Sequence, residues 1–247
     1  MSEGEPRVSI ILATYNEREN IIPLIERTIK AIPQEKEIIV IDDKSPDGTD
    51  ELIVGHFKGN PLVRLIIRTN ERGLCSAVQR GINEATGDII VWMDCDLSMP
   101  PEKIPDLIDK IINGGYDVAV GSRYVPGGKD RRTDSGKFIL FFHTVLSRTI
   151  TTFTSLLLWR TFRDWTSGFI AVKAEVIKKI PLSGDYGEFF IEMMYRILKS
   201  GYKVIEVPYE LIPRQHGQSK TSTSYLGFFT RGIKYVRCVF RLKFSKI

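Results

Sequence analysis

Short apolar runs and longer stretches with one apolar side alternate along the first half of the chain. Residues 7–12 (RVSIIL) and 37–41 (EIIVI) predict strands, because each is an apolar run too short for a helix. Between them, residues 17–31 repeat Ile21, Ile22, Leu24, Ile25 and Ile29 at helical spacing, which predicts an amphipathic helix. Asp47 and Gly48 mark a turn before a helix near 49–57. The alternation continues with a strand at 63–68, a helix at 74–85, a strand at 88–93, a helix at 101–113 and a strand at 117–120. Pro101 sits near the start of its helix, where no amide hydrogen is missed. Such alternation predicts right-handed crossovers and an α/β fold, a doubly wound, mostly parallel sheet with helices on both faces.

The second half changes character. Residues 127–136 (GGKDRRTDSG) form a polar, basic loop. Residues 138–159 predict a helix that is apolar around most of its girth. A strand at 169–172, a helix at 188–198, a strand at 203–207 and a terminal helix at 222–244 complete the pattern. The expected organisation is one catalytic domain over 1–221 and a basic amphipathic helix over 222–247, with no internal repeat.

Composition narrows the class. The 247 residues are 43% hydrophobic and 26% charged, ordinary for a globular domain with a sizeable core. The net charge of +5 suits nucleic acid, an anionic membrane or a phosphorylated substrate, and the placement of the basic residues has to decide among them. Cys75, Cys95 and Cys238 are far apart, which suggests neither a disulfide framework nor zinc, and a reducing compartment is the simpler expectation. The polar start MSEGEPR has no signal-peptide pattern, and no stretch reaches the roughly 18 to 20 apolar residues of a membrane span.

The chemistry gathers at strand ends. Asp94-Cys95-Asp96 follows the apolar run GDIIVWM, so two carboxylates stand where that strand leaves the sheet. Alone they fit an acidic turn as well as a pair of hard ligands for Mg²⁺ or Mn²⁺. The other strand ends are Ala13-Thr14-Tyr15-Asn16-Glu17 and Asp42-Asp43-Lys44-Ser45-Pro46-Asp47. In an open α/β sheet these ends share one edge, where ligands bind. Tyr15 could stack a base, and a carboxylate could accept a base N–H or a ribose hydroxyl. No G-x-G-x-x-G follows the first strand and no P-loop is present, which disfavours a dinucleotide fold and a P-loop kinase.

In this order and spacing, ATYNE, DDKSPDGT, RGLCSAV, GDIIVWMDCDLSMPPE, GSRYVPGG, DWTSGF and RQHGQSK resemble the inverting family 2 glycosyltransferases of GT-A fold, and within them the dolichol-phosphate mannose synthases. The resemblance runs from about Val8 to Lys220. It implies transfer of a hexose, usually mannose from GDP-mannose, to dolichyl or another polyprenyl phosphate, with Mg²⁺ or Mn²⁺ as cofactor. It implies that Ala13, Tyr15, Glu17, Asp42, Asp43, Gly73 and Leu74 bind the nucleotide sugar. Asp94 and Asp96 match the metal and donor-phosphate ligands, with Ser98 at a third metal position where some archaeal relatives carry Gln. Arg123 matches the arginine that meets the acceptor phosphate, and Arg214 and Lys220 match a pair on a loop over the donor diphosphate. Ser147 falls where some members use a serine for the lipid phosphate. His143 stands near an arginine of other members, so Arg131 and Arg132 are added to the acceptor-phosphate set.

The terminal helix fits a lipid substrate. Arg231, Lys234, Arg237 and Arg241 recur every three or four residues, with aromatic and aliphatic residues between them. Such a helix lies in a membrane interface or packs one side on the core. The expected location is the cytoplasmic face of a membrane, held peripherally, with membrane-anchoring subunits as possible partners. Nucleic acid is not expected, because the basic residues are not interleaved with aromatics along a sheet. The alternatives are UDP-glucose as donor, a non-lipid acceptor, or nucleotide binding without catalysis.

Overall fold

The computed structural model describes residues 6–136, 138–184, 186–217 and 225–245. In chain order, β1 (Val8–Thr14), α1 (Ile21–Ala31), β2 (Lys36–Asp42), α2 (Thr49–His56), β3 (Val63–Ile67), α3 (Leu74–Glu84), β4 (Ile89–Trp92), α4 (Ile104–Ile112) and β5 (Val118–Ser122) follow the expected alternation. Then come β6 (Lys129–Asp130), α5 (Phe138–Leu157), β7 (Ile170–Lys173), α6 (Ala174–Ile177), α7 (Glu188–Lys199), β8 (Val204–Pro208), β9 (Glu210–Leu211) and α8 (Tyr225–Phe244). The main sheet has seven strands in the order β3-β2-β1-β4-β7-β5-β8, and β6 pairs with β9 beside it. Every pairing in the main sheet is parallel except those of β7, which runs antiparallel to both β4 and β5.

The reversed strand matters for the site. Trp92, the last residue of β4, pairs with Ile170, the first of β7. The segment leading into β7 therefore lies at the edge where the parallel strands end. The motif DWTSGF is brought there, beside Asp94 and Asp96.

Both faces of the sheet are covered. One layer packs α1, α2 and α4 on the sheet through Leu24, Ile25, Ile53, Leu107 and Ile108. The opposite layer packs α3, α7 and α8 through Val78, Ile82, Phe190, Met194 and Val239. Each fully buried aliphatic side chain contributes about 2 kcal/mol. Gly81 in α3 is required by this packing, because a Cβ there would stand 2.4 Å from Ile11 of β1.

Some boundaries differ from the sequence expectation for local reasons. The helix expected from residue 17 begins at Ile21. Pro23 explains the delay: further inside a helix its ring would clash with the carbonyl four residues back. Residues 15–20 are thereby released as a loop that carries Glu17 to the strand-end edge. Pro101 opens a 3₁₀ turn over Pro101–Lys103, and α4 starts only at Ile104.

The terminal helix serves two environments. Cys238, Val239 and Leu242 are buried in the core, whereas Ile233, Val236, Phe240 and Phe244 are exposed. Glu192 of α7 accepts hydrogen bonds from Arg196 on its own helix and from Arg241 of α8, which ties the two helices together. Tyr225, Phe228, Phe229 and Arg231 have side chains outside the described set.

Candidate active site

A cavity of about 620 Å³ opens at the strand-end edge and continues beneath α5 and α8. Its acidic end is formed by Glu17, Asp43, Asp94 and Asp96, with Ala13 and Tyr15 from the end of β1. Gly73 and Leu74 line it from the start of α3, and Arg214 from the loop after β9. Its basic side is formed by Arg123 and Arg132 with Ser147 and Thr166. Beyond these groups the wall is apolar, with Leu146, Ile150, Phe189, Phe190 and Tyr235.

Among the described residues three non-glycine residues have positive φ, and each follows a strand of this edge: Asn16 (55°) after β1, Lys44 (54°) after β2 and Leu97 (61°) after β4. For an aliphatic residue such as Leu97 the left-handed conformation costs about 1 kcal/mol or more. It lets the chain turn so that the Ser98 N–H donates to Asp96 Oδ1 at 3.0 Å, fixing that carboxylate.

The acids are held at different depths of commitment. Asp94 is exposed to the open cavity, yet the protein packed around it and the neighbouring Asp96 charge push its carboxyl up to about 7. Arg214 opposes this shift. It donates from Nε to Asp96 Oδ2 at 3.2 Å and from Nη2 to Glu17 Oε1 at 2.7 Å. Burial disfavours the Arg214 charge, yet Glu17 and Asp96 outweigh it and raise the pKa. A cation already stands against Asp96, and a second, crowded carboxylate lies beside it. That donor set suits a divalent metal, which would relieve the repulsion between the two acids.

Arg123 is buried and almost fully committed. Nε and Nη2 donate to the two oxygens of Asp164 at 2.8 and 2.6 Å, and Nη2 also donates to Thr166 Oγ1 at 2.8 Å. Nη1 is left with a longer, 3.8 Å approach to Asp130. Burial works against this guanidinium, but Asp164 outweighs it and holds the pKa well above the ordinary value. Thr166 Oγ1 lies 2.9 Å from Ser147 Oγ, and the Tyr124 hydroxyl donates to Ser147 at 3.2 Å. Ser147 of α5 is thus brought to the arginine through one bridging hydroxyl.

The sequence set is divided by the fold. Ala13, Tyr15, Glu17, Asp43, Gly73, Leu74, Asp94, Asp96, Arg123, Arg132, Ser147 and Arg214 meet in the one cavity. Asp42 does not line it; its carboxylate is wholly buried and accepts from the Ser45 N–H at 2.8 Å and the Ser45 hydroxyl at 2.5 Å, shaping the turn after β2. Ser98 does not line it either; its carbonyl accepts from the Ile212 N–H at 3.0 Å. Arg131 points away and pairs with Asp134 and Glu210, both at 3.1 Å. Lys220 lies outside the described residues, as does the His143 side chain.

Residues 9–180 match the family described as Glycosyl transferase family 2. The chain belongs to that family. Its curated relatives include the dolichol-phosphate mannosyltransferase of Pyrococcus furiosus, 39% identical over 96% of this chain and 63% of the relative. The polyprenol monophosphomannose synthase of Mycolicibacterium smegmatis is 37% identical over 88% of this chain and 82% of its own length. The undecaprenyl-phosphate mannosyltransferase of Micrococcus luteus is 33% identical over 90% of each chain. This chain therefore spans less than two thirds of the first of these and most of the other two.

Among solved structures, glucosyl-3-phosphoglycerate synthase from Mycobacterium tuberculosis, crystallised with Mn²⁺, UDP-glucose and phosphoglyceric acid, superposes with a TM-score of 0.73. It is 16% identical, and the match covers 97% of this chain and 80% of that one. At that identity the likeness shows the fold, which is GT-A. Among the described residues no helix is long and apolar enough to cross a membrane.

Several residues lining the cavity of this family member, or buried behind its wall, were not singled out from sequence. Arg72 stacks over the Tyr15 ring, 5.6 Å from its centroid. Asp164 and Thr166 lie inside the quoted motif DWTSGF, but their pairing with Arg123 depends on the reversed strand β7. Tyr235 of α8 closes the apolar end, and burial followed by the nearby Tyr186 pushes its hydroxyl far above the ordinary range.

The crowding at Asp94 has a stability consequence. Its folded pKa, about 7, lies above the ordinary aspartate value of about 3.9, so the folded state holds this proton more tightly. The stability so gained is present below the ordinary value and is lost as pH rises through about 7. Asp94 is exposed to the open cavity, where solvent screens much of this effect; Asp94→Asn is expected to raise the melting temperature of the metal-free protein more near pH 8 than near pH 5. A difference scan near pH 8 and near pH 5 checks this; an equal effect at both would contradict it.

Proposed function

We propose that this chain transfers a hexose, mannose from GDP-mannose, to dolichyl or another polyprenyl phosphate with inversion. The observation that carries the reading is the continuity of one cavity from the acidic strand ends, past Arg123 and Ser147, to an apolar wall under α5 and α8. A nucleotide diphosphate suits the first part, a phosphate monoester the second and a hydrocarbon chain the third. The relatives' names point the same way, since each acts on a polyprenyl or dolichol phosphate.

In this reading Tyr15, Glu17 and Asp43 hold the nucleoside. Asp94 and Asp96 would hold Mg²⁺ or Mn²⁺, which supplies positive charge against the leaving diphosphate when bound. Arg214 leaves Asp96 for the diphosphate, joined by Lys220. Arg123, Arg132 and Ser147 orient the acceptor phosphate. An acceptor oxygen forms its bond to the anomeric carbon as the bond to the diphosphate breaks on the opposite side. The acceptor is already anionic, so positioning replaces a general base. An α-linked nucleotide sugar then yields a β-linked lipid sugar. Side-by-side transfer from GDP-mannose and UDP-glucose tests the donor; preferential use of UDP-glucose would overturn the mannose assignment.

The same reading places the protein peripherally on the cytoplasmic face of a membrane. Phe141, Phe142 and Val145 of α5 and Ile233, Val236 and Phe240 of α8 are exposed, and Phe153 packs edge-on against Phe240 at 5.9 Å to join the helices. Lys234, Arg237 and Arg241 are exposed beside them. Apolar groups flanked by cations suit an anionic lipid surface. The double variant Phe141→Glu/Phe240→Glu is expected to weaken binding to anionic vesicles about tenfold or more. Sedimentation with vesicles measures it, and binding equal to that of the unaltered protein would reject the surface.

A further inference from the structure

We infer that Arg68 is a positioning residue of the donor site, fixing the orientation in which the Asp43 carboxylate is offered to a nucleobase. The inference rests on the nucleotide-sugar reading of the cavity. Arg68 follows β3 directly, is 6% exposed and does not line the cavity. Its backbone N–H donates to the Asp42 carbonyl at 2.7 Å, which extends the pairing of β2 and β3 by one step.

Four hydrogen bonds and one ion pair engage all three nitrogens of the guanidinium. Nε donates to Asp43 Oδ1 at 2.6 Å, and Nη2 lies 2.5 Å from the same oxygen. Nη2 also donates to the Gly73 carbonyl at 3.0 Å. Nη1 donates to Ser76 Oγ at 2.8 Å and to Glu71 Oε2 at 3.4 Å. Each nitrogen is held by a protein group, and the side chain does not line the cavity. Arg68 acts through the groups it holds.

Those groups form the nucleoside end of the cavity. Gly73, with φ of 123°, turns the chain so that its N–H donates to Asp43 Oδ2 at 2.9 Å. A carboxylate has about four lone-pair directions. Oδ1 faces Arg68 and one direction on Oδ2 faces Gly73, so the carboxylate is held in one orientation with an acceptor direction open on Oδ2. An open carboxylate acceptor suits an N–H donor on a nucleobase edge. Without Arg68 the carboxylate would keep only the Gly73 N–H to hold it, and residues 71–76 would lose their hydrogen bonds to the end of β3.

The test measures GDP and UDP binding by calorimetry, with steady-state kinetics, for the unaltered protein, Arg68→Gln and Arg68→Lys. Lysine keeps the charge but not the fork, so it decides the matter if Arg68→Gln does not fold. The expected result is a rise of about tenfold or more in the nucleotide Kd and the donor KM. The kcat at saturating donor and the KM for polyprenyl phosphate are expected to stay within about twofold. A purely structural role would lower the active fraction and the melting temperature and leave the donor KM unchanged. In an Asp43→Asn background, Arg68→Lys is expected to add little further loss, because the two act as a unit. Unchanged nucleotide Kd and donor KM in the folded variants overturn the inference alone. Failure of the unaltered protein to bind either nucleotide overturns it together with the nucleotide-sugar reading.

Discussion

Asp96→Ala is expected to lower transfer about a thousandfold or more while leaving the fold intact. Asp96 faces the cavity, and its Oδ1 is fixed by the Ser98 N–H while Oδ2 faces Arg214. In the proposed reaction it is one of two carboxylates that concentrate positive charge against the departing diphosphate. Asp94 alone supplies half of that charge, and the variant leaves it without its partner carboxylate. Arg214 would keep Glu17 as partner in the variant, which argues against collapse of the loop. The measurement is the initial rate of lipid-linked sugar formation, with GDP binding and the melting temperature as controls. Near-normal transfer by a folded Asp96→Ala protein would remove Asp96 from the chemistry.

The second large effect is expected at a residue outside the sequence-derived set. Asp164 is wholly buried and holds two nitrogens of the equally buried Arg123, and it also accepts from the Arg123 backbone N–H at 2.9 Å. Asp164→Ala leaves a buried guanidinium without its main counter-charge. Removing one partner of a buried pair costs about 3–5 kcal/mol, which for a chain of this size is about 10 °C in melting temperature. Asp130, 3.8 Å from Nη1, moderates the loss without replacing the fork. Arg123 would then turn toward Asp130 and away from Thr166 and Ser147. In the proposed reaction the KM for polyprenyl phosphate rises while that for the donor nucleotide changes little. Thermal melts and the two KM values check this together, and a melting temperature within about 2 °C of the unaltered protein would show that the pair is not a stabilising unit.

Much of this arrangement is legible in sequence because it depends on local pattern. An apolar run ending in Asp94-Cys95-Asp96, and others ending in Thr14-Tyr15 and Asp42-Asp43, are enough to put acids and an aromatic on one edge of a parallel sheet. The direction of β7 is not legible in that way. IAVK is four residues long and reads the same whichever way it runs, so the neighbourhood of Asp164 and Arg123 depends on pairing between distant segments. Arg68 is hidden for a similar reason, since its partners lie on the end of β2 and in the turn before α3. The resemblance matches Asp43 to the base-reading residue with Asp42 beside it, and the fold separates the two: the Asp42 carboxylate closes the turn after β2 while Asp43 lines the cavity. The basic pattern of the last helix gives its polar residues but not how deeply its other side is buried; Cys238, Val239 and Leu242 settle that by packing on α7. Arg131 and Arg132 are adjacent, and only the second lines the cavity, because Arg131 is drawn outward by Asp134 and Glu210.

The most direct test of the proposed reaction is incubation of the purified protein with GDP-[¹⁴C]mannose and polyprenyl phosphate, counting label in the chloroform-extracted lipid. Label that appears with Mn²⁺ or Mg²⁺, disappears with EDTA and is absent without the polyprenyl phosphate is the predicted result. Nucleotide binding with no lipid-linked label under any of these conditions would contradict it.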